Sequence, residues 1–235
     1  MKLKTALVTG GRRGIGAAIA SRLRDDGVYV VVTGTTPHND APKDGTYRSV
    51  DFSSAASTRA FADTIASEDF DILVNNAGTS KIGAFHAIDP ADFDRIQQIN
   101  VHAPFLLMRA VLAGMRRKGW GRIVNIASIF SVVSKEQRAS YSASKFALDG
   151  MTAALAAEVA ADGILANCVS PGFIDTELTR GILGESGIAD LVARVPMKRL
   201  GRPEEIAAFV AWLVSDENTF ISGQNLVIDG GFTRV

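Results

Sequence analysis

Short apolar runs alternate with longer amphipathic stretches along most of the chain. Seven runs of four to six residues, at 5–9, 28–33, 47–50, 70–74, 122–126, 164–169 and Asn225–Ile228, are bounded by glycine, asparagine or proline. Their length and punctuation predict strands. Between them, 14–26 places Ile15, Ala18, Ile19 and Leu23 on one face and predicts a helix. Further helices are predicted at 58–67, at 91–117, from the region of Tyr141 to 161, and from Pro203 to about 216. Gly119 and Gly121 end the third helix, and Gly163 suits the C-cap of the fourth. Two intervals break the pattern. Residues 35–46 carry too much glycine and proline for a full helix, which predicts an abbreviated crossover. Residues 174–195 mix turn signals with short amphipathic pieces and are expected to form a mobile cover.

Buried strands alternating with helices imply an α/β fold, a doubly wound and mostly parallel sheet with helices on both faces. The length of 235 residues suits one core, and 1–235 is expected to be a single domain, since there is no internal repeat or separate linker.

Composition narrows the function. The 25 basic and 25 acidic residues cancel, so no global field recruits nucleic acid or an anionic membrane. No apolar run is long enough to span a bilayer, and the amino end does not read as a secretory segment. The cytoplasm is the expected location. Cys168 is the only cysteine, which excludes an internal disulfide, and its apolar surroundings predict a buried structural thiol. Three scattered histidines give little support for a metal site.

Thr9-Gly-Gly-Arg-Arg-Gly-Ile-Gly16 joins the first strand to the first helix. Gly10 permits a tight turn, Gly14 a close approach of backbone to phosphate oxygens, and Gly16 close packing. The amino end of the helix supplies donors and a favourable dipole for a pyrophosphate. The loop differs from the narrower Gly-x-Gly-x-x-Gly spacing and lacks the Gly-Lys-Ser/Thr ending of a nucleotide-hydrolysing loop.

Tyr141-Ser-Ala-Ser-Lys145 lies in a predicted helix, with Ser128 thirteen residues before the tyrosine. Positions i and i+4 share a helix face, so Lys145 can hold positive charge beside the phenol and favour phenolate. An incidental lysine on a surface helix has the same spacing. The dinucleotide-like amino end gives the pair its weight.

With these motifs in order, together with Asn75-Asn-Ala-Gly78, Asn100 and Pro171-Gly172, essentially the whole chain resembles the classical short-chain dehydrogenase/reductase family. It looks especially similar to bacterial 3-oxoacyl-carrier-protein reductases. The resemblance implies strand order 3-2-1-4-5-6-7 and a homotetramer, with the long helices and the tail 231–235 at subunit surfaces. It assigns Tyr141 as acid/base, Lys145 as its electrostatic partner, Ser128 as carbonyl-orienting donor, and Asn100 to helix geometry and a water-linked proton path. Cofactor contacts are implied for Gly10, Arg12, Arg13, Gly14, Ile15, Gly16, Gly34, Thr35, Asp51, Phe52, Asn75, Ala77, Gly78, Tyr141, Lys145, Pro171, Gly172, Ile174 and Thr176.

In that family an acid after the second strand favours NAD. Gly34 and Thr35 stand there instead, and Arg13 matches a basic position of NADP-dependent members, with Arg12 assisting. NADP(H) is therefore expected over NAD(H). Ser128, Phe130, Tyr141 and Phe173 are expected to line the substrate pocket, and the polar loop 135–138 to be solvated, with contact to a polar substrate as the alternative. The substrate implied is a small molecule or an acyl thioester, carried by a protein in one case. Arg116, Arg117 and Lys118 would meet such a carrier, or simply complement a helix C-terminus. A small cyclic ketone, sugar or secondary-metabolite intermediate is the alternative substrate. A noncatalytic cofactor-binding scaffold or sensor is the alternative class.

Overall fold

Strand β1 (Thr5–Val8) shows why the sheet has two covered faces. Ala6 and Val8 point to one side and Leu7 to the other, and all three are fully buried. The computed structural model describes residues 3–35 and 45–235. The other strands are β2 (Tyr29–Gly34), β3 (Gly45–Ser49), β4 (Ile72–Asn75), β5 (Gly121–Ile126), β6 (Ile164–Pro171) and β7 (Asn225–Ile228). They form a seven-stranded sheet of order β3-β2-β1-β4-β5-β6-β7, as expected, and every pairing is parallel.

The helices are α1 (Gly14–Asp25), α2 (Ala55–Ala66), α3 (Pro90–Gln97), α4 (Ala103–Lys118), α5 (Ala139–Val159), α6 (Glu177–Arg194) and α7 (Pro203–Leu213). On one face Ala6, Val8, Val32 and Val74 pack with Ile19 and Leu23 of α1 and Ile206 and Val210 of α7. On the other, Leu7, Val31, Leu73 and Ile123 pack with Ile65 of α2, Leu107 and Met115 of α4 and Val159 of α5. The chain order reverses between β1 and β4, where Val8 pairs with both Val32 and Val74. The loops leaving those two strands meet in the crevice such a reversal creates.

Three expectations need correction. The helix predicted across 91–117 is interrupted by a π-helical turn, Gln98–His102, where the Ala103 amide donates to the Gln98 carbonyl. Pro104 has no N–H to offer the Asn100 carbonyl, so the regular helix cannot run through this point. Residues 174–195, expected as short pieces, contain the single helix α6. Its glycines read as turn signals, yet Thr176 caps it by accepting from the Thr179 amide at 3.2 Å. Helix α2 begins at Ala55, ahead of the predicted start at 58, because Ser54 accepts from the Ser57 amide. Of the crossover 35–46, residues 36–44 lie outside the described residues.

Gly163 adopts φ 75° and caps the turn that follows α5, as expected. Cys168 is fully buried, and burial pushes its thiol up to about 12, so it stays protonated.

Candidate active site

The crevice is built from five chain segments: the β1–α1 loop, the β4 end, the π turn, the β5 end and the first turns of α5. Thr9 ties the first two together. Its backbone N–H donates to the Val74 carbonyl at 3.0 Å, and its Oγ1 accepts from the amides of Asn76 and Ala77, both at 2.9 Å. Gly10 and Gly14 take left-handed φ values of 63° and 54°, which only glycine adopts without strain. A Cβ at Gly16 would lie 2.4 Å from both Asn76 Nδ2 and the Gly10 carbonyl oxygen. Its role is therefore close packing of the helix start onto the loop. Ile15 follows in the first turn of α1 and packs against the core.

Several features fit a dinucleotide. Helix α1 has no side-chain cap: Arg13 at the N-cap makes no capping bond. The first-turn N–H groups are left for an external anion. A Cβ at Gly14 would lie 3.4 Å from Thr176 Cγ2, so the α1 loop and Thr176 face each other. Ile174 bridges Gly201 through its neighbours, the Phe173 carbonyl and the Asp175 amide. Its own N–H and C=O consequently point away from that bridge, available to a bound group.

At the end of β2, Gly34 makes room for two side chains. A Cβ there would lie 2.7 Å from Tyr47 Oη and 3.0 Å from Arg12 Cδ. The Arg12 guanidinium lies over the Tyr47 ring at 5.4 Å. Arg12, expected to assist Arg13, thus reaches the Gly34 corner. Arg13 is an exposed N-cap.

The other residues with implied cofactor contacts also make contacts within the chain. Asp51 Oδ1 accepts from the Ser53 hydroxyl at 2.7 Å and the Ser53 amide at 2.9 Å, and these bonds hold its carboxyl below the usual range. The Phe52 side chain is in the core, edge-on to Phe61, and its carbonyl accepts from Gln98 Nε2 at 3.3 Å. Asn75 is buried and donates to Asn125 Oδ1 at 2.8 Å, while its own Oδ1 has no partner among the described residues. Asn76 and Ala77 face the glycine loop in its stead. Pro171 ends β6, and Gly172 is needed for packing, since a Cβ would lie 2.7 Å from Asp229 Cα.

The chemical group is assembled around α5. Lys145 is 4% exposed, and its Nζ donates to the Ile126 carbonyl at 2.8 Å and lies 5.5 Å from the Tyr141 ring centroid. Gly78 passes alongside, where a Cβ would be 3.7 Å from Lys145 Nζ. Ser128 follows β5, and its Oγ accepts from the Phe130 amide at 3.2 Å. That bond leaves the Ser128 hydroxyl proton to donate. The ring of Phe130 meets Tyr141 edge-on at 6.1 Å. Phe173 meets Phe232 of the C-terminal turn instead, and among the described residues it makes no ring contact with Phe130 or Tyr141.

Asn100 sits in the π turn and joins two segments. Its Oδ1 accepts from the Thr79 amide, and its Nδ2 donates to the Thr79 carbonyl and to Ser144 Oγ, at 2.9, 2.9 and 3.0 Å. Ser144 Oγ in turn donates to the Tyr141 carbonyl at 2.7 Å. The side chain of Asn100 braces the Gly78–Thr79 strand end against α5, and among the described residues it does not bond Lys145 directly.

Sequence reasoning missed the support behind Ser128. Ser131 Oγ donates to the Ser128 carbonyl at 2.6 Å and accepts from Asn225 Nδ2 at 2.9 Å, while Ser170 Oγ donates to Asn225 Oδ1 at 2.5 Å. These residues come from distant segments, and nothing local in the sequence signals their meeting. Arg138, expected in a solvated loop, is half-buried, with its guanidinium over the Phe130 ring at 5.5 Å. Among the described residues no group of three or more His, Cys, Asp or Glu is arranged to hold a metal ion, and no helix is long and apolar enough to cross a membrane.

Comparison with known proteins agrees with this geometry. Residues 10–233 match the family described as enoyl-(acyl carrier protein) reductase. The chain is 38% identical over 244 residues to the acetoacetyl-CoA reductase of Cupriavidus necator, covering 98% of each chain. It is 38% identical over 240 residues to the 3-oxoacyl-(acyl-carrier-protein) reductase of Vibrio cholerae, covering 99% of this chain and 98% of the relative. A crystal structure of gluconate 5-dehydrogenase from Burkholderia cenocepacia in complex with NADP and tartrate superposes with TM-score 0.91 at 31% identity, covering 99% and 96%. The glycine loop at the sheet reversal, the Tyr141–Lys145 pair and these full-length likenesses lead to one assignment: the chain belongs to the short-chain dehydrogenase/reductase family of NAD(P)-dependent enzymes acting on a carbonyl/alcohol pair.

Proposed function

We propose that this enzyme uses NADP(H) to reduce a carbonyl to a secondary alcohol. The observation that carries the reading is the convergence of Ser128, Tyr141 and Lys145 beside the glycine loop at the sheet reversal. A bound NADPH supplies the hydride. Tyr141 donates the proton that the carbonyl oxygen gains, and Ser128 donates a hydrogen bond to the same oxygen as charge develops there. Lys145 favours the tyrosinate that remains. With one proton on the Ile126 carbonyl, its ammonium has others to offer a ribose hydroxyl.

The NADP preference rests on charge. Neither Gly34 nor Thr35 is an acid, and Arg12 over Tyr47 brings a cation to that corner. The likeness to a gluconate dehydrogenase solved with NADP supports the same reading.

Two substrate classes have support. A 3-oxoacyl thioester follows from the likeness to the reductases of Cupriavidus necator and Vibrio cholerae. Its carrier-bound form has less support. Arg116, Arg117 and Lys118 are each paired already, with Asp162, Asp69 and Asp71, so they do not form a bare basic patch. A small sugar-like ketone follows from the likeness to gluconate 5-dehydrogenase. Initial rates with NADPH against acetoacetyl thioesters, cyclic ketones, keto sugars and short oxo acids test the proposal. No NADPH oxidation with any of them would overturn it. The half-exposed Phe105 on α4 and Phe146 on α5 support the homotetramer reading.

A further inference from the structure

Arg138 lies in the wall of the crevice, immediately before α5. Its guanidinium rests over the Phe130 ring at 5.5 Å, and the same ring meets Tyr141 edge-on at 6.1 Å. The cation and the phenol therefore share one aromatic wall. Nη1 donates to Ser80 Oγ at 3.4 Å, on the segment that Asn100 braces. The Nε–H is closed off from solvent and meets no acceptor among the described residues.

Among the described residues no carboxylate stands within ion-pair distance of Arg138. Glu136, the acid nearest in sequence, is exposed on the loop, and Asp92, beyond Ser80 in the chain, pairs with Lys81. A half-buried cation without a counter-ion is costly, and such a group is expected to be retained for a ligand. Gln137 holds the preceding turn at φ 64°, a left-handed conformation uncommon for a residue with a side chain, and its carbonyl accepts from the Gly83 amide at 3.2 Å. A hollow of about 400 Å³ lies beside this turn, lined in part by Phe85, Ser134, Lys135, Glu136 and Gln137, and Arg138 is not itself in its lining.

Resting on the carbonyl-reductase reading, we propose that Arg138 is a specificity-determining residue that pairs with a carboxylate on the substrate, separated from the reducible carbonyl by a short spacer. The substrate class is then an oxo acid. A guanidinium matches a planar carboxylate through two parallel N–H···O bonds, which a neutral ketone cannot accept with equal strength. In an acyl thioester the anionic groups sit far from the carbonyl, out of reach of this wall.

The test measures binding without turnover. The wild-type enzyme loaded with NADP+ is titrated calorimetrically with 2-, 3-, 4- and 5-oxohexanoate and their methyl esters. The acid of best spacing binds about tenfold or more tightly than its ester. Arg138→Gln removes that preference while ester binding and NADP+ binding stay within about threefold. Arg138→Lys, a milder change, reduces it. The proposal is overturned if no acid is preferred in the wild type, if the preference is unchanged in either variant, or if Arg138→Gln weakens acid and ester alike. Its failure is separable from that of the reductase reading. An acid that binds with preference but takes no hydride from NADPH leaves the carboxylate subsite standing and sinks the reductase. Turnover of thioesters or neutral ketones with no acid preference does the reverse.

Discussion

Lys145 Nζ donates to the carbonyl oxygen of Ile126 at 2.8 Å, which ties the face of α5 that carries Tyr141 to the end of β5 that carries Ser128. The amine lies 5.5 Å from the Tyr141 ring centroid, so its proposed effect on the phenol is through charge. One backbone acceptor thus orients the cation for both the phenol and the cofactor side of the crevice.

Tyr141→Phe removes only a hydroxyl from a half-buried ring that keeps its edge contact with Phe130. Folding and NADPH affinity stay near the parent values. The rate of hydride transfer, followed by stopped flow, falls roughly 10²- to 10⁴-fold. Transfer at the parent rate would remove Tyr141 from the acid/base role.

Lys145→Ala has a broader effect. It deletes the proposed electrostatic partner of Tyr141 and the donor to Ile126 together, leaving that carbonyl without this bond. Both the chemical rate and cofactor affinity fall, the latter read by fluorescence titration. A variant that loses rate but binds NADPH as tightly as the parent would show that the lysine does not touch the cofactor.

Arg12 and Arg13 separate by position. Arg12→Ala should weaken NADPH by about tenfold and NADH little, because the contact proposed for it is to the extra phosphate. Arg13→Ala has the smaller effect of the two. Thr35→Asp, at an exposed position beside Gly34, places an acid where a 2′-phosphate would sit and shifts preference toward NADH. Equal losses for both cofactors in Arg12→Ala would reduce that residue to loop support.

Asn100→Ala breaks three hydrogen bonds, two to Thr79 and one to Ser144. Thermal or urea denaturation should show a loss of about 1–3 kcal/mol, since buried partners are left unsatisfied. An unchanged midpoint would mean that the π turn holds its shape without the side chain.

Glu205 supplies a pH-dependent part of the stability. Its carboxyl accepts from the Arg199 guanidinium at 2.7 Å and from the Arg202 amide at 2.7 Å, which lowers its pKa from 4.5 to about 2. A depressed folded-state pKa stabilises above the unfolded value and is lost as pH falls. The contribution is therefore complete above about pH 4.5 and fades toward pH 2. Solvent screening keeps it small. Glu205→Gln should flatten that limb of the melting-temperature profile, and an unaltered limb would assign it to other carboxylates.

The strand pattern, the glycine loop and the Tyr141–Lys145 spacing were legible because each is local. A strand buried on both faces is apolar, as in 6–8, and a loop that turns tightly into a helix takes glycine where φ is positive, as at Gly10 and Gly14. Errors fell where a local signal was outweighed. Pro104 opened a π turn inside a good amphipathic pattern, and the Thr176 cap carried α6 through glycines that read as breaks.

What the amino-acid sequence determined by itself was the order of elements and the spacing of the groups proposed to react, because periodicity and i to i+4 spacing act over a few residues. Only the tertiary structure decided that Arg12 reaches Gly34, that Asn100 clasps Thr79 to α5, and that Arg138 lies over Phe130 with no acid beside it among the described residues. Those relations join residues from 8 to 44 positions apart in different elements, beyond the reach of local periodicity, and their geometry is set by how the sheet and its two helical layers pack.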